Sequence, residues 1–277
     1  MILTIFGNLV QQIMPLFGTQ RALYEVRERP SKTYSWIIFM LSNIVVEIPF
    51  NAVAATLIFL CYYYPVGLYN NATPTGTVAI RGFLFWLFTQ QFLLFTSTFT
   101  HMVVAGMESI ETAGNIAQLL FSLTLIFCGV LAQPGQFPQF WIFLYRLSPF
   151  TYLVEGFLTV GLANTKVTCS AIEYLTMEPP AGETCGAYLA QYLGTTGGYL
   201  LDDAATSGCQ VCTYSSTNTF LALLKLSYGN RWRNYGIMWA FIIFNVAAAL
   251  AIYWLARMPK QSRVKETMTV DEGDMSK

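Results

Sequence analysis

The chain has 277 residues, 55% of them hydrophobic and 16% aromatic, and only 11% charged, where a soluble domain carries about 25%. Fifteen basic residues balance fifteen acidic ones; that zero net charge says little about partners because the charge is segregated, no nucleic-acid partner is expected, and a chain this poor in charge cannot coat itself for water. Apolar runs of about 20 residues, long enough to cross ~30 Å of hydrocarbon as helix, point to an all-α integral membrane protein whose first partner is the lipid bilayer.

Five stretches read as transmembrane helices: 1–18, 36–64, 83–104, 113–131 and 235–256. The first starts at Met1 without the basic lead-in and small-residue cleavage site of a signal peptide, and is expected to continue a longer upstream piece. On it Thr4, Asn8, Gln11 and Gln12 fall on one helical stripe.

The stretch "QRALYEVRERPSKTYSW" follows, with Arg21, Glu25, Arg27, Glu28, Arg29 and Lys32 inside seventeen residues. Glu25 and Arg29 stand i, i+4 in the favourable order, and Pro30 ends the helix. Leu23, Tyr24 and Val26 give it an apolar side, so residues 19–35 are expected to form an elbow with a short amphipathic helix at the bilayer face.

In the second span Glu47 is expensive in hydrocarbon, and Pro49 removes a backbone donor and is expected to kink the helix. Glu47 is read as part of a polar relay from the elbow into the membrane, with an interfacial ion pair as the plainer alternative. In "YNNATPTG" the sequon Asn71-Ala72-Thr73 is a candidate glycosylation site, although the same residues make turns. His101, the only histidine, reads as a hydrogen-bonded structural group. On the fourth span Asn115, Gln118 and Ser122 form a second polar stripe, which faces either a watery path or neighbouring helices.

The apolar run 137–163 is interrupted by Arg146, Ser148-Pro149 and Glu155. Basic residues concentrate at 19–35 and in a tail with Arg257, Lys260, Arg263, Lys265 and Lys277, and both should be cytosolic. That parity requires 137–163 to dip in and return as a re-entrant hairpin, with Arg146 and Glu155 paired across it. Three regions follow: 1–131, with four membrane helices; 132–233, extracellular; and 234–277, the last helix and tail.

Residues 164–233 then face an oxidising exterior, where Cys169, Cys185, Cys209 and Cys212 are expected as disulfides rather than a zinc site, since they lack paired CxxC spacing. Three connectivities are open. The nested one, Cys169 with Cys212 and Cys185 with Cys209, is preferred because joining Cys209 to Cys212 closes too short a loop. No metal site is expected.

"QQIMPLFGTQRALYEVRERPSKTYSW", "VVEIPFN", "YYYPVGLYNNA", "RGFLFWLF", "FWIFLYRLSPFTYLVEGFL" and "RWRNYGIMWAFIIFN...YWLARMPK" together resemble the second transmembrane domain of fungal pleiotropic drug resistance transporters. These are full-size ATP-binding cassette exporters of the G subfamily, with ABC-2 type membrane domains. The resemblance spans nearly the whole chain.

It implies that the elbow is a cytosolic coupling helix meeting nucleotide-binding domains, assigning coupling to Tyr24, Glu25, Arg27, Glu28, Arg29 and Glu47. It places the first and fourth spans along the substrate pathway, so that Asn8, Gln11, Gln12, Gln118, Phe121, Ser122 and Leu125 are candidate lining residues for hydrophobic small molecules. The implied function is the membrane portion of a multidrug, xenobiotic or lipid exporter of the plasma membrane.

The family's domain has six spans, so one is expected to be missing before residue 1. No GxxxxGK[ST] occurs, so ATP and Mg²⁺ belong to nucleotide-binding domains outside this chain, as does the first transmembrane half. The chain alone is not expected to be an enzyme: its aspartates (Asp202, Asp203, Asp271 and Asp274) avoid the spans, and there is no GxSxG. A truncated assembly or interaction fragment without transport of its own is the competing reading.

Overall fold

The computed structural model describes residues 2–130 and 138–258. The junction of the expected fourth span with the re-entrant run, and Lys260, Arg263, Lys265 and Lys277 of the tail, lie outside these residues. Helix dominates: α1 (Ile2–Leu23), α2 (Trp36–Tyr63), α3 (Val78–Gly106), α4 (Ile110–Ile126), α5 (Ile142–Leu147), α6 (Pro149–Leu162), α7 (Cys185–Thr196), α8 (Thr217–Leu223) and α9 (Arg231–Arg257). Three short strands, β1 (Leu175–Met177), β2 (Tyr199–Leu200) and β3 (Cys209–Cys212), form an antiparallel sheet in the order β1-β3-β2.

Among the described residues three helices are long and apolar enough to cross a membrane: α2, α3, and α9 with the turn that precedes it. α4 is shorter, at 17 residues. α1 has the length, at 22 residues, but its glutamines and asparagine dilute its hydropathy. The helices use the solvent differently. α2 exposes Ile38, Val45, Val46, Phe50, Val53 and Leu57, a surface that water would reject and lipid accepts.

α3 is mostly enclosed, and its polar residues Thr89, Gln91, Thr96, Ser97, Thr98, Thr100 and His101 are all buried. Its threonines satisfy themselves on their own helix. The hydroxyls of Thr89, Thr98 and Thr100 donate to the carbonyls of Phe85, Leu94 and Thr96, four residues back, at 2.9, 2.8 and 2.7 Å. Pro49 does not end α2, which continues to Tyr63.

The chain folds as two compact units. The first comprises Met1–Asn51, Leu93–Ser122 and Ala240–Lys277. In it Phe6 of α1 stacks on Phe121 of α4, ring centres 3.6 Å apart, and Gly18 gives close passage to the side chain of Ile110.

The second unit comprises Ala52–Phe92 and Leu123–Trp239. Its membrane part packs α6 on α3 around Tyr63, Leu84, Phe85, Phe88 and Val160. Ser148 ends α5, and Pro149, whose missing N–H costs nothing at a first helical position, starts α6.

The expected Arg146–Glu155 pair does not form. Arg146 lies on α5, before the break, and is exposed. Glu155 is buried on the face of α6 that meets the turn before α9, accepting from Ser227 N (3.2 Å) and Asn230 Nδ2 (3.0 Å), with Arg233 Nη2 at 3.7 Å.

The remainder of the second unit is a crosslinked lobe whose two ends are zipped together. Asn164 N and Thr165 N donate to the side chains of Asn218 and Thr217 at 2.8 and 3.1 Å. Disulfides join Cys169 to Cys212 and Cys185 to Cys209, the nested arrangement. Around the inner one Leu189 and Val211 form a small core. Thr184 caps α7, and Gly197 ends it at φ +70°.

Gly156 is where α6 approaches α3 most closely, because a Cβ there would overlap the Phe88 ring. Gly156→Val is expected to lower the thermal unfolding midpoint of the membrane-extracted protein, at a cost of about 1–3 kcal/mol for overpacking. Adding Phe88→Leu should recover part of the loss, and no recovery would place the damage elsewhere.

Candidate functional site

Among the described residues the first unit holds at least two cavities. One, of about 430 Å³, lies between α1 and α4 and is lined by Gly7, Val10, Gln11, Met14 and Pro15 from the first helix and Ile110, Glu111, Gly114, Asn115 and Gln118 from the second. Its walls are mostly apolar, with the amides of Gln11, Asn115 and Gln118 and the Glu111 carboxylate as polar groups, a mixture common in small-molecule sites. Nothing stands within 4 Å of a Cβ built on Gly7, and only the Met14 sulfur, at 3.9 Å, on Gly114, so both glycines leave open space.

Of the residues named from sequence, Gln11, Asn115 and Gln118 line this cavity. Asn8 and Gln12 are exposed on α1 without lining it, and Phe121 is buried against Phe6. The Ser122 hydroxyl donates to the Gln118 carbonyl at 2.8 Å, and Leu125 belongs to the second unit. Gly7, Met14 and Gly114 were not singled out by sequence, because glycine and methionine carry no polar signature, and Glu111 fell just before the expected fourth span at 113–131.

The elbow is built differently from the separate amphipathic helix expected. α1 runs to Leu23 and passes directly into a π turn over Tyr24–Glu28, closed by Arg29 N donating to Tyr24 O at 2.9 Å. This extra residue per turn breaks the i, i+4 register, and Glu25 does not pair with Arg29. Instead Glu25 meets Arg257 Nη1 at 3.7 Å and accepts from Tyr253 OH at 3.3 Å. Arg29 Nη1 donates to Arg257 O at 2.9 Å.

Arg257 Nη2 in turn donates to Met107 O at 2.7 Å, and Arg21 Nη1 to Val104 O at 2.6 Å. The elbow is thus pinned to the C-terminal ends of α3 and α9. Sequence reasoning named Arg21 and Arg257 only as cytosolic charge and did not single out Tyr253, so their part in this network was missed. Arg27 is exposed, with no side-chain hydrogen bond or ion pair among the described residues.

Tyr24 is buried and stacks on Phe39, ring centres 4.5 Å apart. Glu28 accepts a short hydrogen bond from Tyr34 OH. That bond pushes the Tyr34 phenol up to about 12, so at neutral pH it is a protonated donor.

The second cavity, about 340 Å³, lies beneath this elbow, lined by Leu16, Phe17, Gln20, Leu23, Glu28, Tyr34, Phe39, Ser42, Asn43, Val46, Glu47 and His101. Glu47 accepts a hydrogen bond from the Ser97 hydroxyl. His101 is held by Nδ1–H donating to Ser97 O at 2.9 Å and by edge contact with Phe17, which leaves Nε2 facing Glu47 at 3.6 Å. Glu47 therefore sits among protein groups in place of lipid.

Asn71 lies on a 3-10 turn, Leu68–Thr75, where its Nδ2 donates to Gly161 O at 3.0 Å. The four loop cysteines form the two disulfides, and no metal-ligand cluster occurs among the described residues.

A helical chain with lipid-facing spans, an amide-bearing cavity between helices and a crosslinked loop region is a polytopic membrane domain of the transporter type. Residues 1–162 match the family model of the ABC-2 type transporter, and residues 206–275 that of the CDR ABC transporter. The chain belongs to the ABC-2 type transporter family.

It is 61% identical to the ABC multidrug transporter atrG of Aspergillus oryzae and 60% to ABC multidrug transporter C of Aspergillus fumigatus, each over 96% of this chain. It is 58% identical to the ABC-type transporter eriD of Hericium erinaceus over 95%. The chain spans 18% of the length of each of these relatives.

The Glu25–Arg257 contact is partly solvated, which limits it to about 1 kcal/mol. Glu25→Gln and Arg257→Gln should each lower the unfolding midpoint of the membrane-extracted protein slightly, and the double variant by less than their sum. Strict additivity would show that the two side chains are energetically independent.

Proposed function

We propose that this chain is the substrate-pathway portion of an ATP-driven exporter that moves amphipathic hydrophobic molecules out across the plasma membrane. The observation that carries this reading is the α1/α4 cavity, which combines apolar walls with Gln11, Asn115 and Gln118. The names of the relatives point the same way. In this reading the elbow and tail face the cytosol, and the disulfide lobe faces the exterior.

Nucleotide-binding domains and a first transmembrane half complete the assembly, and ATP with Mg²⁺ is bound there. α1 and α4 are then membrane helices beside the three longer spans, and α5–α6 is the re-entrant hairpin. Asn8, Gln12 and Ser122 extend the path toward surfaces that other parts of the assembly complete, and Phe121 backs it by stacking on Phe6. Glu25, Glu28 and Arg29 carry motion from the nucleotide-binding domains to the ends of α3 and α9, with Tyr24 wedged on Phe39 as their pivot. Arg27, exposed and unpaired within the described residues, is available to those domains. Glu47 continues the polar chain inward. The hydrogen bond to Gly161 explains Asn71 without a glycan.

The test is drug resistance conferred by the full-length transporter. Gln11→Ala and Gln118→Ala should change which compounds are exported at unchanged surface expression, and Gly114→Leu, which fills the cavity, should lower export of bulky compounds at least tenfold. An unaltered resistance spectrum in all three removes this cavity from the path. Glu47→Gln is expected to leave ATP hydrolysis running while export falls, and wild-type coupling in that variant removes Glu47 from the relay.

A further inference from the structure

The cavity beneath the elbow differs from the α1/α4 cavity, whose one carboxylate is Glu111, in the number of its carboxylates and in the company of its polar groups. Two carboxylates line it, Glu28 from the π turn and Glu47 from α2, and no lysine or arginine is among its lining residues. Their hydrogen-bond partners, the hydroxyls of Tyr34 and Ser97, are uncharged; His101, whose Nε2 lies 3.6 Å from Glu47, is the one basic side chain in the lining and faces Glu47 alone, not Glu28. The nearby guanidinium of Arg29 is committed elsewhere, to Arg257 O and the Met258 sulfur.

Three aromatic side chains, Phe17, Tyr34 and Phe39, share the wall with Leu16, Leu23 and Val46. Carboxylates held at an apolar wall attract an opposite charge more strongly than they would in water. Aromatic faces add a cation–π contribution for a cation that sheds its hydration readily. A metal ion would find oxygen donors too few and too apolar a surround. An anionic amphiphile would meet two like charges.

We propose that this cavity is a second small-molecule site, separate from the α1/α4 pathway, and that it takes a lipophilic organic cation such as a quaternary ammonium or phosphonium. An occupant there touches the elbow through Gln20, Leu23 and Glu28 and α2 through Ser42, Asn43 and Glu47. It wedges the two apart at the point where the elbow's motion would pass inward, so the site is inhibitory to coupling and the bound cation is not cargo.

The test uses the full-length transporter in lipid nanodiscs and a pair of probes of equal shape and opposite charge, tetraphenylphosphonium and tetraphenylborate. Tetraphenylphosphonium should bind saturably and lower substrate-stimulated ATP hydrolysis, while tetraphenylborate should not compete with it. Glu28→Gln should weaken tetraphenylphosphonium binding at least tenfold. Val46→Trp, which fills the cavity without altering charge, should do the same, whereas Asn115→Ala in the other cavity should leave the affinity at its wild-type value. Wild-type affinity in Glu28→Gln or in Val46→Trp, loss in Asn115→Ala, or effective competition by tetraphenylborate overturns the proposal.

Discussion

The carbonyls at the C-terminal ends of the long helices have no partner on their own helix, and at the edge of an apolar medium water is an unreliable substitute. Arginine supplies the missing donors. Arg21 reaches Val104 O and Glu108 O at the end of α3, Arg257 reaches Met107 O beside them, and Arg29 reaches Arg257 O at the end of α9. In the other unit Arg81, itself buried, donates to Ala163 O at the end of α6 at 2.7 Å. Each places positive charge at the negative end of a helix dipole, where cation and carbonyl stabilise one another. Arg21, Arg29 and Arg81 have the helix ends as their counter-charge, and Arg257 adds a carboxylate, Glu25 at 3.7 Å.

This arrangement ties the geometry of the elbow to the spans. An i, i+4 helix would have spent Glu25 on Arg29. The π turn over Tyr24–Glu28 shifts the register by one residue and sends both side chains to α9, Glu25 to Arg257 and Tyr253, Arg29 to the terminal carbonyl. π turns cost hydrogen-bond geometry and recur at functional positions. Here the compensating gain is a connection between residues more than two hundred positions apart in the chain.

Much of the architecture was legible in the sequence, because hydropathy over twenty residues is a strong signal when lipid is the solvent. The lipid-facing α2 and α9, the break at Ser148-Pro149 and the clustered loop cysteines all follow from composition and local chemistry. What was not legible depends on tertiary partners. Arg146 and Glu155 look like natural mates in sequence, but a proline break between them turns one outward and the other toward Asn230 and Arg233. The short sheet, whose three strands span two to four residues, lacks the alternating pattern that announces a strand and is defined by the disulfides it carries. In the α1/α4 cavity, glutamines at helical spacing exposed Gln11 and Gln118, while Gly7 and Gly114 contribute by what they lack.

The lobe and the elbow are each held together by interactions of a different kind. The lobe beyond α6 is fixed by two covalent crosslinks, each worth about 3–4 kcal/mol through the chain entropy of loops this long, and by ends zipped with side-chain amides. The elbow is held by many contacts of another kind: hydrogen bonds and an ion pair between partly solvated groups, each worth about 0.5–1.5 kcal/mol. A set of such bonds can be exchanged one at a time at small cost, whereas the lobe can move only as a body. The contacts from the elbow to the C-terminal ends of α3 and α9 are therefore of a kind that can yield and re-form. A stiffer elbow, built from disulfides or a buried aliphatic core, would hold the same fold and lose that freedom.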